Sequence, residues 1–169
     1  MTASNLGPLE LIADVWIIGD PTARKSKHFR LQQQGLSYWI QGVQTQVIPW
    51  SRFMNLVLSV QPTRLGNSRA MAMLSAVTLA PAGGAREAFL GATLRDPYED
   101  WSEIFTHPAR KFGRRDIRKA EEFLKQTVEF GRARKLGDPL WVSQTVEKIA
   151  GLTVKPRDMK AAIGEIVKS

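Results

Sequence analysis

The hydrophobic period of this chain changes once, and that change bounds the fold. Phe29 and Leu31 alternate with Arg30 and Gln32. Gln33, Gln34 and Gly35 then break the run, and Leu36, Tyr38 and Ile40 alternate with Ser37, Trp39 and Gln41. A period of two puts each set on its own face of a sheet, so the stretch predicts a hairpin. From Asp116 the spacing becomes three and four: Ile117, Ala120, Phe123, Leu124, Thr127 and Val128 recur against Arg118, Lys119, Glu122, Lys125 and Glu129. That is an amphipathic helix. Strands first and helices afterwards predict an α+β chain, mainly β.

The remaining elements follow from local chemistry. ELIADVWII, 10 to 18, is apolar and β-branched and predicts one strand before the turn GDPT. TQVIPW, 45 to 50, predicts a short strand that Pro49 must end, because proline cannot donate to a ladder. Further strands are predicted over 56–60, over 70–79 (AMAMLSAVTL) and over 87–94 (EAFLGATL), seven in all. DPYEDWSEIF predicts a short helix from Asp96 or Pro97 with Trp101, Ile104 and Phe105 on one side. The main helix is expected to start with Asp116 as its cap and to end near Gly131 or Gly137. DPLWVSQTVEKIAG and KPRDMKAAIGEIVKS each open on a proline start signal and carry an apolar stripe, the second through Met159, Ala162, Ile163 and Ile166. Such a tail is too small to own a core, so its stripes must dock on the strands, on each other or on a partner. The expected organisation is a strand-rich unit with its helix over 9–134 and a helical extension over 138–169.

Charge narrows the partner. Among 169 residues, 24 Lys and Arg outnumber 16 Asp and Glu, for a net charge of +8. No acid occurs from 21 to 86, where Arg24, Lys25, Lys27, Arg30, Arg52, Arg64, Arg69 and Arg86 lie. A second basic run, 110 to 135, is diluted by Asp116, Glu121, Glu122 and Glu129. Such a balance favours anionic partners: an acidic protein surface, anionic headgroups or nucleic acid. The absence of cysteine excludes thiolate catalysis, disulfides and cysteine-ligated metals, and His28 and His107 have no metal-ligand spacing. No serine has a paired His and Asp context, and PAGGA lacks the form of a phosphate loop. No enzyme, metal, cofactor or small-molecule substrate is therefore expected. An enzyme whose site leaves no sequence mark is the third reading. No apolar run approaches a membrane span, and MTASNLGPLE has no signal-peptide pattern, so a cytoplasmic protein, peripheral to the membrane at most, is expected.

Three features are candidate sites, each with a plainer alternative. TARKSKHFR, 22 to 30, gathers Arg24, Lys25, Lys27 and Arg30 between strands, where they could converge on an anion or merely be solvated. ARKFGRRDIRK, 109 to 119, interleaves Arg110, Lys111, Arg114, Arg115 and Arg118 with Phe112. These could meet a phosphate backbone, with Phe112 stacked on a base, or form a linker with Phe112 packed inside. Trp39 falls on the outer face of its strand and could anchor a partner or be covered by the tail.

Seven short strands closed by one amphipathic helix resemble the pleckstrin-homology superfold. The text FRLQQQGLSYWIQGVQTQVIPWSRFMNL is similar to the bacterial PH-like pattern of strand, Gly turn, strand, loop and I-P-W-S-x-I, with Ile48, Pro49, Trp50, Ser51 and Phe53 in those places. The resemblance covers 9–134 and implies two antiparallel sheets in a partly open barrel, capped by the helix. Another small β-barrel with appended helices is the rival architecture. Family members of the eukaryotic kind grip inositol phosphates with basic residues between the first two strands. Lys25, Lys27 and Arg30 approximate that pattern, although the last spacing differs. Bacterial members more often bind proteins or self-assemble. The implied function is a non-catalytic adaptor engaging an acidic protein, an anionic membrane surface or another copy of itself, and the alternative is a basic nucleic-acid-binding accessory protein.

Overall fold

A computed structural model of the chain describes residues 3–60, 88–108 and 110–169. The strand expected over 70–79 lies outside the described residues, as do Arg64, Arg69 and Arg86. The described chain is α+β and mainly β: nine strands in a six-stranded and a three-stranded sheet, with three α-helices after them.

The larger sheet is an antiparallel meander in the order β1 (Asn5–Leu6), β2 (Leu9–Ile12), β3 (Val15–Ile18), β4 (Lys27–Gln32), β5 (Gly35–Ile40) and β6 (Val43–Pro49). The single strand expected over 10–18 is in fact two, β2 and β3, paired Leu9↔Ile18 to Ile12↔Val15. Ala13 and Asp14 make the turn with φ of 48° and 64°. A two-residue turn with both centres left-handed matches strand twist, but Ala-Asp carries none of the usual glycine signal. The expected hairpin is β4 and β5, with Phe29 opposite Tyr38 and Leu31 opposite Leu36, and Gly35 is the first residue of β5, paired with Gln32, so that Gln33 and Gln34 alone make the turn. Gly35 lies so close to β6 that a Cβ there would stand 2.1 Å from the Ile48 carbonyl oxygen.

The smaller sheet runs β7 (Val57–Ser59), β8 (Ala88–Leu94) and β9 (Glu99–Phe105). Here the short helix expected from Asp96 or Pro97 is corrected to strand β9. All seven of its residues pair with β8, from Ala88↔Phe105 to Leu94↔Glu99. The pairing, not the residue type, decides the conformation, and pairing is not visible in a local window. Among the described residues the two sheets do not close into a barrel. They meet through Phe29, whose ring touches Tyr38, Trp101 and Phe105. The Tyr38 hydroxyl donates to the Ile104 carbonyl at 2.8 Å, and burial, then Glu103, pushes its pKa up to about 12. At the end of β9 the Thr106 amide donates to the Lys27 carbonyl at 2.7 Å.

Helix α1 (Arg114–Glu129) buries Ile117, Ala120, Phe123, Leu124 and Val128. Its N-cap is Gly113, with no side-chain cap, rather than Asp116, which lies inside the first turn. There a carboxylate still complements the helix dipole. The helix ends where expected, at Gly131 with φ +70°. Helix α2 (Pro139–Ala150) starts as its sequence implies, the Asp138 carboxylate accepting from the Leu140 and Trp141 amides at 3.0 and 3.1 Å. Helix α3 (Met159–Lys168) follows a 3₁₀ turn at Pro156–Asp158. Val142, Val146, Ile149, Met159, Ile163 and Val167 join the same buried cluster as Leu9, Phe29 and Phe123. The tail therefore docks on the strands and on α1. The Trp16 indole also ties β3 to α2, donating toward the Pro139 carbonyl at 3.3 Å and Ser143 Oγ at 3.1 Å.

Candidate functional site

The fold engages some cations with backbone carbonyls, several of them at helix ends, and leaves others facing solvent. Arg115 donates to the Leu152 and Val154 carbonyls at 3.1 and 2.8 Å. Lys119, only 3% exposed, donates to the Ala150 carbonyl at 2.9 Å. Both satisfy carbonyls at or just beyond the end of α2, where the macrodipole is negative. Arg132 does the same for α3, reaching the Val167 carbonyl at 2.7 Å. Burial, then Arg115, lowers the pKa of Lys119. Arg110 is bound to the Gly7 carbonyl and lies 3.8 Å from Glu10. Phe112 stacks on His107, ring centres 5.2 Å apart, and packs against the core. Of the run 110–118, Lys111, Arg114 and Arg118 remain exposed beyond these engagements.

In the other basic stretch the structure brings Arg30 and Trp39 together. Period two sends Phe29 and Leu31 into the core and leaves His28 and Arg30 on the outer face of β4, opposite Trp39 and Ser37 of β5. The Arg30 guanidinium carbon lies 3.8 Å from the Trp39 ring centre. Arg30 Nε donates to His28 Nε2 at 3.2 Å, and the His28 ring stacks on the same indole at 6.2 Å. The Trp39 indole donates to Ser37 Oγ at 2.9 Å, and Ser37 Oγ donates to the Arg30 carbonyl at 3.3 Å. Ser26 Oγ lies 2.9 Å from His28 Nδ1 and donates to the Asp20 carbonyl at 2.6 Å.

These contacts fix the protons. Arginine is a donor only, so His28 Nε2 must accept and His28 Nδ1 must carry the hydrogen. Ser26 Oγ accepts that hydrogen while giving its own to Asp20. A second proton on the ring would break the bond to Arg30 and place two cations together. Burial, then Arg30, accordingly holds the pKa of His28 down to about 4. His28 is 1% exposed, and its Nε2 holds the Nε edge of Arg30.

Arg24 and Lys25 are exposed in the neighbouring loop, which the Thr22 hydroxyl and amide shape by donating to the Asp20 carboxylate at 2.6 and 2.8 Å. Lys27 is half-buried at the start of β4, its amide donating to Thr106 Oγ1 at 2.9 Å. The ion pairs among the described residues are Arg52–Glu99, Arg110–Glu10, Lys125–Glu129, Arg157–Asp158 and Lys168–Glu165, and none involves Arg24, Lys25, Lys27 or Arg30. The sequence placed Arg30 and Trp39 in different candidate sites and His28 in neither, as a residue without metal-ligand spacing. The alternation that sets 28 and 30 across from 39 and 37 is the signal that joins them. No family model, no curated protein and no solved structure matches this chain.

Proposed function

We propose that the chain is a non-catalytic, PH-like binding module whose β3–β4 loop and adjoining sheet face engage an acidic surface on a protein partner. The observation that carries this reading is Arg30 held over Trp39 with no carboxylate of its own among the described ion pairs. An arginine fixed at Nε and over its plane has lost its rotamer freedom before binding, so less entropy is lost when its remaining N–H groups meet a carboxylate. Arginine and tryptophan are also the residues that dominate protein interfaces. Arg24 and Lys25 extend the positive field beside it and would speed encounter with an acidic partner.

The exposed Lys111, Arg114 and Arg118 at the start of α1 favour a second reading, contact with a nucleic-acid backbone. Titration with a poly-glutamate peptide, vesicles carrying phosphatidylserine and a mixed-sequence DNA duplex separates the readings. The proposal expects saturable binding of the peptide that weakens roughly tenfold in Arg30→Ala or Trp39→Ala. Tight, steeply salt-dependent binding of the duplex that survives both substitutions would favour the second reading. Vesicle binding without peptide binding would make the membrane the partner.

A further inference from the structure

At the opposite end of β4 from the basic loop, the fold encloses an open cleft of about 1140 Å³. Its walls come from four separate segments: the β2–β3 turn at Asp14, the β4–β5 turn at Gln32, Gln33 and Gln34, the corner at Pro49 and Trp50, and the connection between α1 and α2. That connection packs closely against β4. Gly137 sits so close to β4 that a Cβ would meet the Gln32 carbonyl oxygen at 2.6 Å and Trp50 Nε1 at 2.7 Å. The Trp50 indole donates to the same carbonyl at 2.8 Å. The 3₁₀ turn Ala133–Gly137 buries Ala133 and Leu136, which leaves Arg134 and Lys135 exposed on the cleft wall beside Arg132.

The chemistry of the lining selects a ligand class. Arg134 and Lys135 have no partner among the described ion pairs. Two acids, Asp14 and Asp138, also line the cleft, and Asp138 Oδ1 accepts from the first amides of α2, so Arg132, Arg134 and Lys135 leave the lining net positive. Three successive glutamines also line the cleft, Gln34 Nε2 donating to Gln32 Oε1 at 3.1 Å. Cations on one wall suit a phosphoryl group, and uncharged amides that both donate and accept suit the hydroxyls of its organic part. We propose that this cleft binds a small organic phosphate. The proposal is independent of the acidic-partner reading, since it uses none of the same residues.

The test follows the backbone amide resonances of the intact chain during titration with ribose 5-phosphate, and in parallel with free ribose. Saturable shifts at 32–34 and 131–138, half-complete at about 1 mM, are expected for the phosphate ester and not for ribose. Replacing Arg134→Glu and Lys135→Glu together should weaken binding by at least roughly tenfold. Both side chains are exposed, and the milder pair Arg134→Gln and Lys135→Gln serves if the reversal alters the fold. Equal shifts with free ribose, shifts confined to 24–30, no saturation, or binding unchanged in the variants would each overturn the proposal.

Discussion

Arg30 and Trp39 sit on neighbouring strands as a diagonal pair, two residues out of register, with the guanidinium 3.8 Å above the indole. Their separation in sequence is short, but their contact depends on the pleat, the strand pairing and a buried imidazole. Arg30→Lys keeps the charge and loses both the planar stack and the Nε donor. Its cost in urea denaturation should be about 1 kcal/mol, because a cation–π contact at a half-exposed site and one charged hydrogen bond are lost. A variant as stable as the parent would show that the stack carries no energy.

His28 gives the platform an acid limit. Its pKa in the fold is about 4, against an ordinary 6.5. Above 6.5 the ring is neutral whether folded or unfolded, so the full stability is present. As pH falls from 6.5 through 4 the unfolded chain takes up the proton first, and stability is lost until both states are charged. His28→Gln should flatten this part of the stability profile. An unchanged slope between these values would remove His28 as its source.

Glu121 acts in the opposite direction. Burial, then Glu122, raises its pKa from 4.5 to about 7. Folding therefore favours the protonated acid, and the stability present below 4.5 is lost as pH rises through 7. Glu121→Gln should raise the melting temperature at pH 8 and leave it nearly unchanged at pH 4.5. A gain at the lower pH as large as at the higher would contradict the assignment.

Glycine positions separate tight packing from open space. Gly137→Ala would drive a Cβ into the Gln32 carbonyl and the Trp50 indole nitrogen, both held by their own hydrogen bond. A loss of about 1–3 kcal/mol is expected, as for overpacking elsewhere. At Gly151, where φ is −73° and the nearest neighbours of a Cβ would be at 3.6 and 3.7 Å, alanine should stay within about 0.5 kcal/mol of the parent. Equal melting temperatures for the two variants would show that the connection between α1 and α2 yields.

Much of this architecture is legible in the sequence where a pattern is local. The β4–β5 hairpin, the end of α1 beside Gly131 and the start of α2 at Pro139 each rest on a few adjacent residues, and each stands close to where those residues put it. The conversion of 99–105 to strand and the split of 10–18 are less visible. The first depends on pairing with β8, and the second on a turn whose residues prefer it only weakly. The site divides in the same way. Composition shows that cations are present, but not that Arg115, Lys119 and Arg132 are taken up by carbonyls far along the chain. Helix ends needing donors are a tertiary fact, and only the fold shows which charges remain for a partner.

The most direct test of the acidic-partner reading is a double-mutant cycle in poly-glutamate binding across the parent, Arg30→Ala, Trp39→Ala and the double variant. If the indole holds the guanidinium in its binding position, each single change removes most of what the pair provides, and the double variant binds no worse than the weaker single. Additive losses, or single variants that bind as the parent does, would contradict it.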